Sequence, residues 1–408
     1  MKPIRISVDN IFTTVPLLAF IFFAINIDTF LGSRRWNPYW FQIIALCLAF
    51  LAYTIICVQS KFITFKSLFI NPLSKWLLLI LFLSFISLTY SKDLFYAGLG
   101  FTYLLSTVII VLSCLISFRY LLLRENTDYG FSFLCVLTIA CLSIILDPIY
   151  DFRILIAPDL EGMYERTRGS GLFLQPNVAG AAIALLYALV IPRVSGNLAF
   201  IATIVAFLAI LLTFSRSGMA VFIIIFIFGI WCKYLPRYTL PVITILILFL
   251  LATTSVLYFI SDVFNIDQGS GFNRLFNTSE FLGSDAFVSG DRFYILLDAL
   301  GLYFESAILG NGIGYSWYFA ESNLFQQGTH NLYLRYMLEY GTIGLFIWPL
   351  FLYALYRIRH KGVGTKWAIG VSISAMVAAL FSHNIPEQGV ILAPLMACFL
   401  FPIKPVNR

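Results

Sequence analysis

Charged residues are scarce in this 408-residue chain, and their scarcity excludes an ordinary soluble protein. Only 11% of the residues are charged and 60% are hydrophobic, whereas about a quarter of a typical soluble domain is charged. The alternation of polar and apolar residues that marks the strands of a membrane barrel is absent. Apolar segments long enough to cross a bilayer recur along the chain, which predicts an all-α polytopic membrane protein.

Two further absences limit the chemistry. None of the seven cysteines lies in a loop predicted to be exported, so we expect no disulfide. The sequence has no Asp-x-Asp or Glu-x-Asp motif that would hold a metal ion by two carboxylates. Asp147 and Asp151 are four residues apart at the end of a predicted span, and we expect both to be solvated.

The apolar segments predict about twelve membrane spans. They cover residues 12–31, 39–58, 76–90, 97–118, 130–147, 176–192, 197–213, 217–232, 239–260, 332–356, 367–382 and 388–403. Only the sequence TFSRSG separates the seventh span from the eighth, and one helix over both would be about 52 Å long, against a ~30 Å hydrocarbon core. The chain must therefore turn at residues 214–218, with Arg216 at the tip of the hairpin.

This interpretation gives one integrated membrane domain in three parts. Residues 1–260 hold nine spans with a short exported loop at 148–175, residues 261–331 form a large exported loop, and residues 332–408 hold the last three spans. Sixteen of the 26 lysines and arginines, and only three of the 20 acids, fall on the side of the N-terminus. The excess of basic residues on that side predicts that both termini are cytoplasmic. Membrane topology thus explains the positive net charge, so this charge does not imply a nucleic-acid partner.

The large loop contains a predicted helix in GDRFYILLDALGLYFESAILGNG, residues 290–312. Asp291 would lie in the first turn and a Gly-Asn-Gly stop follows. We expect the helix to lie on the outer membrane interface with Arg292 at its start. Its apolar face would be formed by Phe293, Leu296, Leu297, Leu300 and Phe304.

Arginine is nearly the only basic residue type on the exported side, where Lys92 is the single lysine. A guanidinium group fits phosphate oxygens and keeps its charge, so arginines at a membrane surface suit a lipid-linked diphosphate. Pairing with exported acids or lipid head groups is the alternative, and for Arg216 both remain open. The other exported arginines considered are Arg153, Arg166, Arg168, Arg274, Arg292 and, deeper, Arg335.

Arg166 and Arg168 precede a glycine-containing turn and a Pro-Asn helix start in ERTRGSGLFLQPNVAG. The backbone N–H groups of that helix start would favour an anion. An ordinary loop that returns to the membrane is the simpler interpretation of this segment.

Three histidines occur in the chain, and two of them, His330 and His383, are predicted to be exported. The third, His360, belongs to a basic cytoplasmic cluster. We expect His330 in the first turn of span ten, where the helix dipole keeps the imidazole neutral and able to accept a proton. A merely interfacial histidine is the alternative.

Two other features of span ten follow from residue spacing. Arg335 and Glu339 are spaced to pair with one another. Gly341 and Gly344 would allow a neighbouring helix to approach closely.

The segment HNLYLRYMLEYGTIG has a histidine, an asparagine, nine residues, a glycine, two residues and a glycine. This pattern resembles the signature of the bacterial O-antigen ligase and O-antigen polymerase superfamily. The segments RGSGLFLQPNVAG, TFSRSG and GDRFYILLDALGLYFESAILGNGIG resemble other recurring blocks of that superfamily, in the expected order. Together the four blocks span roughly residues 168–344.

The resemblance implies a glycosyltransferase without metal or cofactor on the outer side of a bacterial inner membrane. It would move a glycan from undecaprenyl diphosphate to a hydroxyl of a second lipid-linked sugar. Membrane lipids would surround the enzyme. His330 matches the essential histidine, Arg216 and Arg292 match the diphosphate-contacting arginines, and Arg168 is a weaker match. Further candidates near these positions are Arg166, Asn331, Arg335 and His383.

Three alternatives remain. A polymerase of the same superfamily differs from a ligase in its acceptor, a lipid-linked repeat unit instead of lipid A-core; the complete histidine block favours the ligase. A flippase or exporter of lipid-linked glycans would more typically have internal repeats and broken helices near the midplane. A haem protein with two histidine ligands is disfavoured because His330 and His383 both lie at the outer edge.

Overall fold

The structure is a computed structural model, and it describes part of the chain. The described residues are 20–21, 23–26, 71–122, 129–150, 169–173, 175–246, 248, 291–323 and 328–403. The described residues therefore exclude most of the first two predicted spans and most of the exported loop at 148–175. They exclude all of residues 249–290. Arg153, Arg166, Arg168 and Arg274 lie outside them as well.

Every regular element in the described residues is a helix, so the predicted all-α fold is confirmed there. The α-helices are α1 (Pro72–Leu88), α2 (Leu94–Leu122), α3 (Gly130–Tyr150), α4 (Pro176–Val190), α5 (Gly196–Leu212), α6 (Arg216–Trp231), α7 (Asp291–Glu305), α8 (Tyr315–Ser322), α9 (Leu332–Tyr340), α10 (Gly344–Ile358), α11 (Thr365–Phe381) and α12 (Gly389–Leu400). Short 3-10 turns lie at Gly171–Phe173, Gly341–Ile343 and Ile385–Glu387.

Within the described residues, three helical stretches are long and apolar enough to cross a membrane: Leu94–Phe118, Gly130–Asp147 and Leu332–Ile358. Six further apolar helices have 12 to 17 residues. A helical membrane protein is thus supported, and the number of twelve spans stays a prediction.

The chain divides into two compact units. The first unit comprises Met1–Thr127 and Ser279–Pro402, and the second comprises Asp128–Thr278 with the last six residues. Helices α3 to α6 therefore belong to the second unit, and the other described helices belong to the first.

Helix α4 is the centre of the second unit, where it packs against α3, α5 and α6. All of its residues except Asn177 are buried. Its contact with α6 is a backbone contact, because a Cβ added to Gly218 would lie 2.6 Å from the Cα of Gly180. Small residues permit such a close approach of two helices, so the glycines of PNVAG and SRSG meet at one crossing.

The predicted turn between spans seven and eight is confirmed. Helix α5 ends at Leu212 and α6 begins at Arg216, with Phe214 in the left-handed region at φ 47°. The Ser215 hydroxyl caps α6 by accepting a hydrogen bond from the Gly218 N–H at 3.1 Å. Arg216 is exposed as the first residue of the helix.

In the first unit, α7 packs against α8 and α9, and Leu296 and Leu300 of the predicted apolar face are partly buried in this contact. The buried residues are Ile295 and Ala299, which pack with Tyr315, Phe319, Leu334 and Leu338. Leu297 and Phe304 are 48% and 72% exposed. These exposures do not contradict an apolar face on the membrane interface, and that interfacial position stays a prediction.

Predicted span ten is interrupted rather than continuous. Helix α9 ends at Tyr340, a 3-10 turn follows, and α10 begins at Gly344. Gly341 has φ 67°, and the Thr342 N–H donates to the Ala307 carbonyl at 2.8 Å. An added Cβ on Gly341 would collide with the Ile308 carbonyl. The close neighbour of Gly341 is therefore the turn after α7, and the prediction of an approaching helix was wrong there.

The α4–α6 crossing predicts a substitution that destabilises the fold. Gly218→Ala should lower the free energy of unfolding by about 1–3 kcal/mol, because the added methyl group overlaps Gly180. Thermal unfolding of the purified protein in detergent measures the change.

The matched control is Gly98→Ala in α2, where an added Cβ meets nothing within 4 Å. This control should be neutral or stabilising by up to about 1 kcal/mol, because alanine favours helix more than glycine does. Equal melting temperatures for the two variants would contradict the proposed backbone contact.

Candidate functional site

His330 lies two residues before helix α9, next to the capping residue Asn331, in a strained backbone conformation. Its φ is 49°, a left-handed value that is uncommon for residues other than glycine. Asn331 is the cap of α9, since its Oδ1 accepts from the Leu334 N–H at 3.1 Å. The prediction that His330 lies in the first helical turn was therefore wrong by a small margin, because the polar Asn331 takes the capping position.

A second histidine faces His330. The ring centroids of His330 and His383 are 5.6 Å apart, with an angle of 69° between the ring planes. His383 lies in the loop between α11 and α12. Gly328 makes room for this pair, because a Cβ there would lie 3.1 Å from Cε1 of His383.

His383 is mostly buried, and its Nδ1 is enclosed with no hydrogen-bond partner among the described residues. Burial, reinforced by the positive charge of Arg335 and by His330, lowers the pKa of His383 to about 3. The imidazole of His383 is therefore neutral at physiological pH, and one ring nitrogen is able to accept a hydrogen bond.

Arg335 holds the loop of His383 in place. The predicted pair with Glu339 is confirmed, with 3.5 Å between Nε and Oε1. Arg335 also pairs with Glu387, and its Nη1 donates to the main-chain carbonyl of His383 at 3.0 Å. Arg335 and Glu339 are almost fully buried. This cluster, Arg335 with Glu339 and Glu387, is called the ion-pair cluster below.

The ion-pair cluster reaches a third element through Ser316, whose hydroxyl donates to Glu339 Oε1. Ser316 belongs to α8, Glu339 to α9, and Glu387 to the 3-10 turn before α12. A buried charge is costly unless it is paired, so the cluster fixes the mutual arrangement of these three segments.

Helix α8 adds an aromatic wall beside His383. Trp317 stacks on Tyr103 of α2 with ring centroids 4.8 Å apart and planes 15° apart. The rings of Trp317 and His383 lie at 76° to one another with centroids 6.4 Å apart, and Arg335 Cζ lies 5.9 Å from the centroid of the Trp317 ring. Trp317 Nε1 is enclosed and has no hydrogen-bond partner in the described residues.

In the second unit, two of the sequence blocks converge on the Arg216 hairpin. Gly169, which follows Arg168 in the chain, donates its N–H to the Leu212 carbonyl at 2.9 Å. Asp147 Oδ2 accepts from the N–H groups of Ser170 and Gly171 at 2.7 and 3.0 Å. Asp147 is buried, so the expectation that it is solvated was wrong; its carboxylate anchors the RGSG turn.

The structure thus brings together four of the predicted site residues: His330, Asn331, Arg335 and His383. Arg292 is the second residue of α7, which packs on α9, and its side chain lies outside the described atoms. Arg216 belongs to the second unit. Sequence reasoning missed Ser316, Trp317 and Glu387 because each lies in a different segment from His330 and carries no local motif.

No group of three histidine, cysteine, aspartate or glutamate side chains suited to a metal ion occurs in the part of the chain that the structure describes. The side chains gathered around His330 offer an imidazole pair, an indole and a charge-compensated guanidinium. Such groups are able to move a proton and to bind hydroxyls.

The ion-pair cluster predicts a large stability effect. Arg335→Met should lower the free energy of unfolding by about 3–5 kcal/mol, because Glu339 and Glu387 remain buried without their partner. The control is Arg357→Met, since Arg357 is exposed and bonds only the Tyr353 hydroxyl in the hydrogen bonds assigned to its side chain. Chemical denaturation in detergent compares the two variants, and similar midpoints would contradict the importance of the cluster.

The neutral state of His383 predicts a pH dependence of stability. The unfolded histidine has a pKa of about 6.5, above its folded value, so protons bind the unfolded state first as the pH falls. The contribution of His383 to the free energy of unfolding is therefore complete above pH 6.5. It falls by up to about 1.4 kcal/mol per pH unit as the pH decreases from 6.5 towards 3.

Melting temperatures of wild type and His383→Gln between pH 7.5 and 5 check this expectation. The variant should have the shallower pH dependence, whereas the control His360→Gln should follow the wild type. Parallel curves for wild type and His383→Gln would show that His383 does not resist protonation in the fold.

Part of the chain is similar to a known protein family. Residues 201–348 match a family model described as O-antigen ligase. No curated protein matches the chain. The matched segment begins before the Arg216 hairpin, includes α7 with Arg292, and ends after the His330 motif and the ion pair of Arg335 with Glu339. The predicted resemblance to the O-antigen ligase superfamily is confirmed over residues 201–348.

Proposed function

We propose that this protein is a ligase-type glycosyltransferase. It transfers a glycan from undecaprenyl diphosphate to a sugar hydroxyl of lipid A-core, at the periplasmic face of the bacterial inner membrane and without a metal ion. The observation that carries this proposal is the strained His330, which lies in the segment that matches the O-antigen ligase family, beside the half-buried His383.

His330 is the general base in this proposal. The acceptor hydroxyl must lose its proton as it attacks, and a neutral imidazole accepts protons near pH 7. A left-handed backbone at a non-glycine residue persists when the surroundings enforce it, and such residues cluster at active sites. The cap formed by Asn331 and the ion-pair cluster behind His383 supply that enforcement.

The arginines bind the donor diphosphate in this proposal. Negative charge builds on the leaving phosphate oxygen, and fixed guanidinium groups stabilise that charge in place of a metal ion. Arg216 is exposed at the first turn of the 16-residue helix α6, where the helix dipole also favours an anion. Arg292 and Arg168 are the other assigned diphosphate ligands, and Arg166 is a further candidate.

The stereochemical outcome depends on the direction from which the acceptor hydroxyl attacks. If the hydroxyl attacks opposite the leaving diphosphate, the configuration at the anomeric carbon inverts. We therefore propose an inverting transfer, and NMR of the product linkage distinguishes inversion from retention.

A direct test replaces His330 by asparagine, which tolerates a left-handed backbone better than most residues. His330→Asn should retain the melting temperature of the wild type while the transfer rate falls by about 10²–10⁴-fold, the usual contribution of a general base. The measurement uses purified protein, undecaprenyl diphosphate-linked glycan and lipid A-core, with a chelator present and no nucleotide.

The controls separate the alternatives. His360→Asn, outside the site, should transfer at the wild-type rate. Normal transfer by His330→Asn would remove the proposed base, and movement of the donor across a vesicle without transfer would indicate a flippase. Transfer only to a second undecaprenyl diphosphate-linked repeat unit would identify a polymerase.

A further inference from the structure

Two buried polar atoms near His330 lack the hydrogen bonds that buried groups normally make. Trp317 Nε1 carries a hydrogen to donate, and His383 Nδ1 is able to accept or donate; both are enclosed and unpartnered within the described residues. More than nine in ten buried polar atoms are satisfied in folded proteins. Two unmet groups on neighbouring rings therefore indicate a place where a polar ligand binds.

The two groups lie in one row of rings with His330. Trp317 and His383 have centroids 6.4 Å apart, and His383 and His330 have centroids 5.6 Å apart. A ligand that meets the indole N–H and the imidazole of His383 therefore lies beside His330. The ligand atoms next to those that form these hydrogen bonds are then near His330, the proposed base.

The charges around this row favour a neutral ligand over a phosphate. Arg335 is the nearby cation, and its guanidinium is taken up by Glu339, Glu387 and the His383 carbonyl. Burial keeps His383 itself uncharged at neutral pH. A diphosphate removed from water needs uncompensated positive charge, which this row does not supply.

A sugar offers the hydrogen-bond partners that Trp317 Nε1 and His383 Nδ1 lack. Each hydroxyl offers one donor and two acceptor positions, so neighbouring hydroxyls of one ring are able to satisfy both unmet atoms. Apolar and aromatic walls with a few placed polar groups are typical of small-molecule sites. Here Trp317 rests on Tyr103, and Tyr318 of the same helix is exposed at 38%.

We propose that Trp317 and His383 form a subsite for the acceptor sugar, in which the indole N–H and the His383 imidazole bind hydroxyls next to the one that His330 deprotonates. The subsite rests on the proposed function, because it assigns the acceptor to the same site. It binds a neutral sugar ring and leaves the diphosphate to the arginines.

The test is Trp317→Phe, which removes the N–H and keeps a flat aromatic ring. The KM for lipid A-core should rise about tenfold, the size expected for one lost hydrogen bond. The KM for the undecaprenyl diphosphate donor and the kcat at saturating acceptor should change less than about twofold. A purely structural role of Trp317 would not separate the two KM values in this way.

The matched control is Trp348→Phe. Trp348 Nε1 donates to the Ala375 carbonyl at 3.2 Å in the buried core of the first unit. This variant should lose thermal stability and keep the acceptor KM of the wild type.

A second measurement keeps the proposal testable if Trp317→Phe folds poorly or if no transfer occurs. Calorimetric titration of wild type with deacylated lipid A-core, and with the same saccharide lacking the hydroxyl beside the attacking position, should give an affinity difference of about tenfold. Equal affinities, or an unchanged acceptor KM in folded Trp317→Phe, would overturn the subsite and leave an ordered water as the partner of these atoms. Absence of transfer by wild type would overturn the proposed function alone.

Discussion

The arrangement of the candidate site depends on Arg335 and the two carboxylates that surround it. Arg335 is buried, and its guanidinium is stable there only while Glu339 and Glu387 compensate its charge. The same side chain holds the His383 carbonyl, and Glu339 holds Ser316. One electrostatic requirement therefore sets the positions of α8, α9 and the loop before α12, and with them the aromatic wall beside His330.

Charge compensation also means that proton transfer and diphosphate binding require different residues in the proposed enzyme. The charge of Arg335, which bonds the His383 carbonyl, is compensated by Glu339 and Glu387, so Arg335 is not available to bind a diphosphate. Recognition of a diphosphate then requires other cations, and Arg216 at the exposed start of α6 has the position that an anion prefers. Proton transfer and charge stabilisation are thus assigned to different residues, each in an environment suited to it.

The features predicted correctly from the sequence are those that local spacing determines. The pair of Arg335 and Glu339 follows from one helical turn, and the hairpin at Arg216 follows from the length of two apolar segments. Glu387 and Trp317 are far from Arg335 in the chain, so no local pattern links them. The break at Gly341 was missed because apolar residues continue on both sides, and its cause is the backbone of Ala307 and Ile308, which only the folded structure brings there.

The lengths of α4, α5 and α6 have a consequence for the surrounding lipid. These helices have 15, 17 and 16 residues, or about 22–26 Å at 1.5 Å per residue, and turns bound α5 and the start of α6. If α5 and α6 cross the bilayer as predicted, a hydrocarbon layer of ~30 Å exceeds their length, and acyl chains beside their exposed faces must shorten or tilt to match them. Hydrophobic mismatch would then draw head groups inward beside the Arg216 turn, and the protein would be sensitive to bilayer thickness.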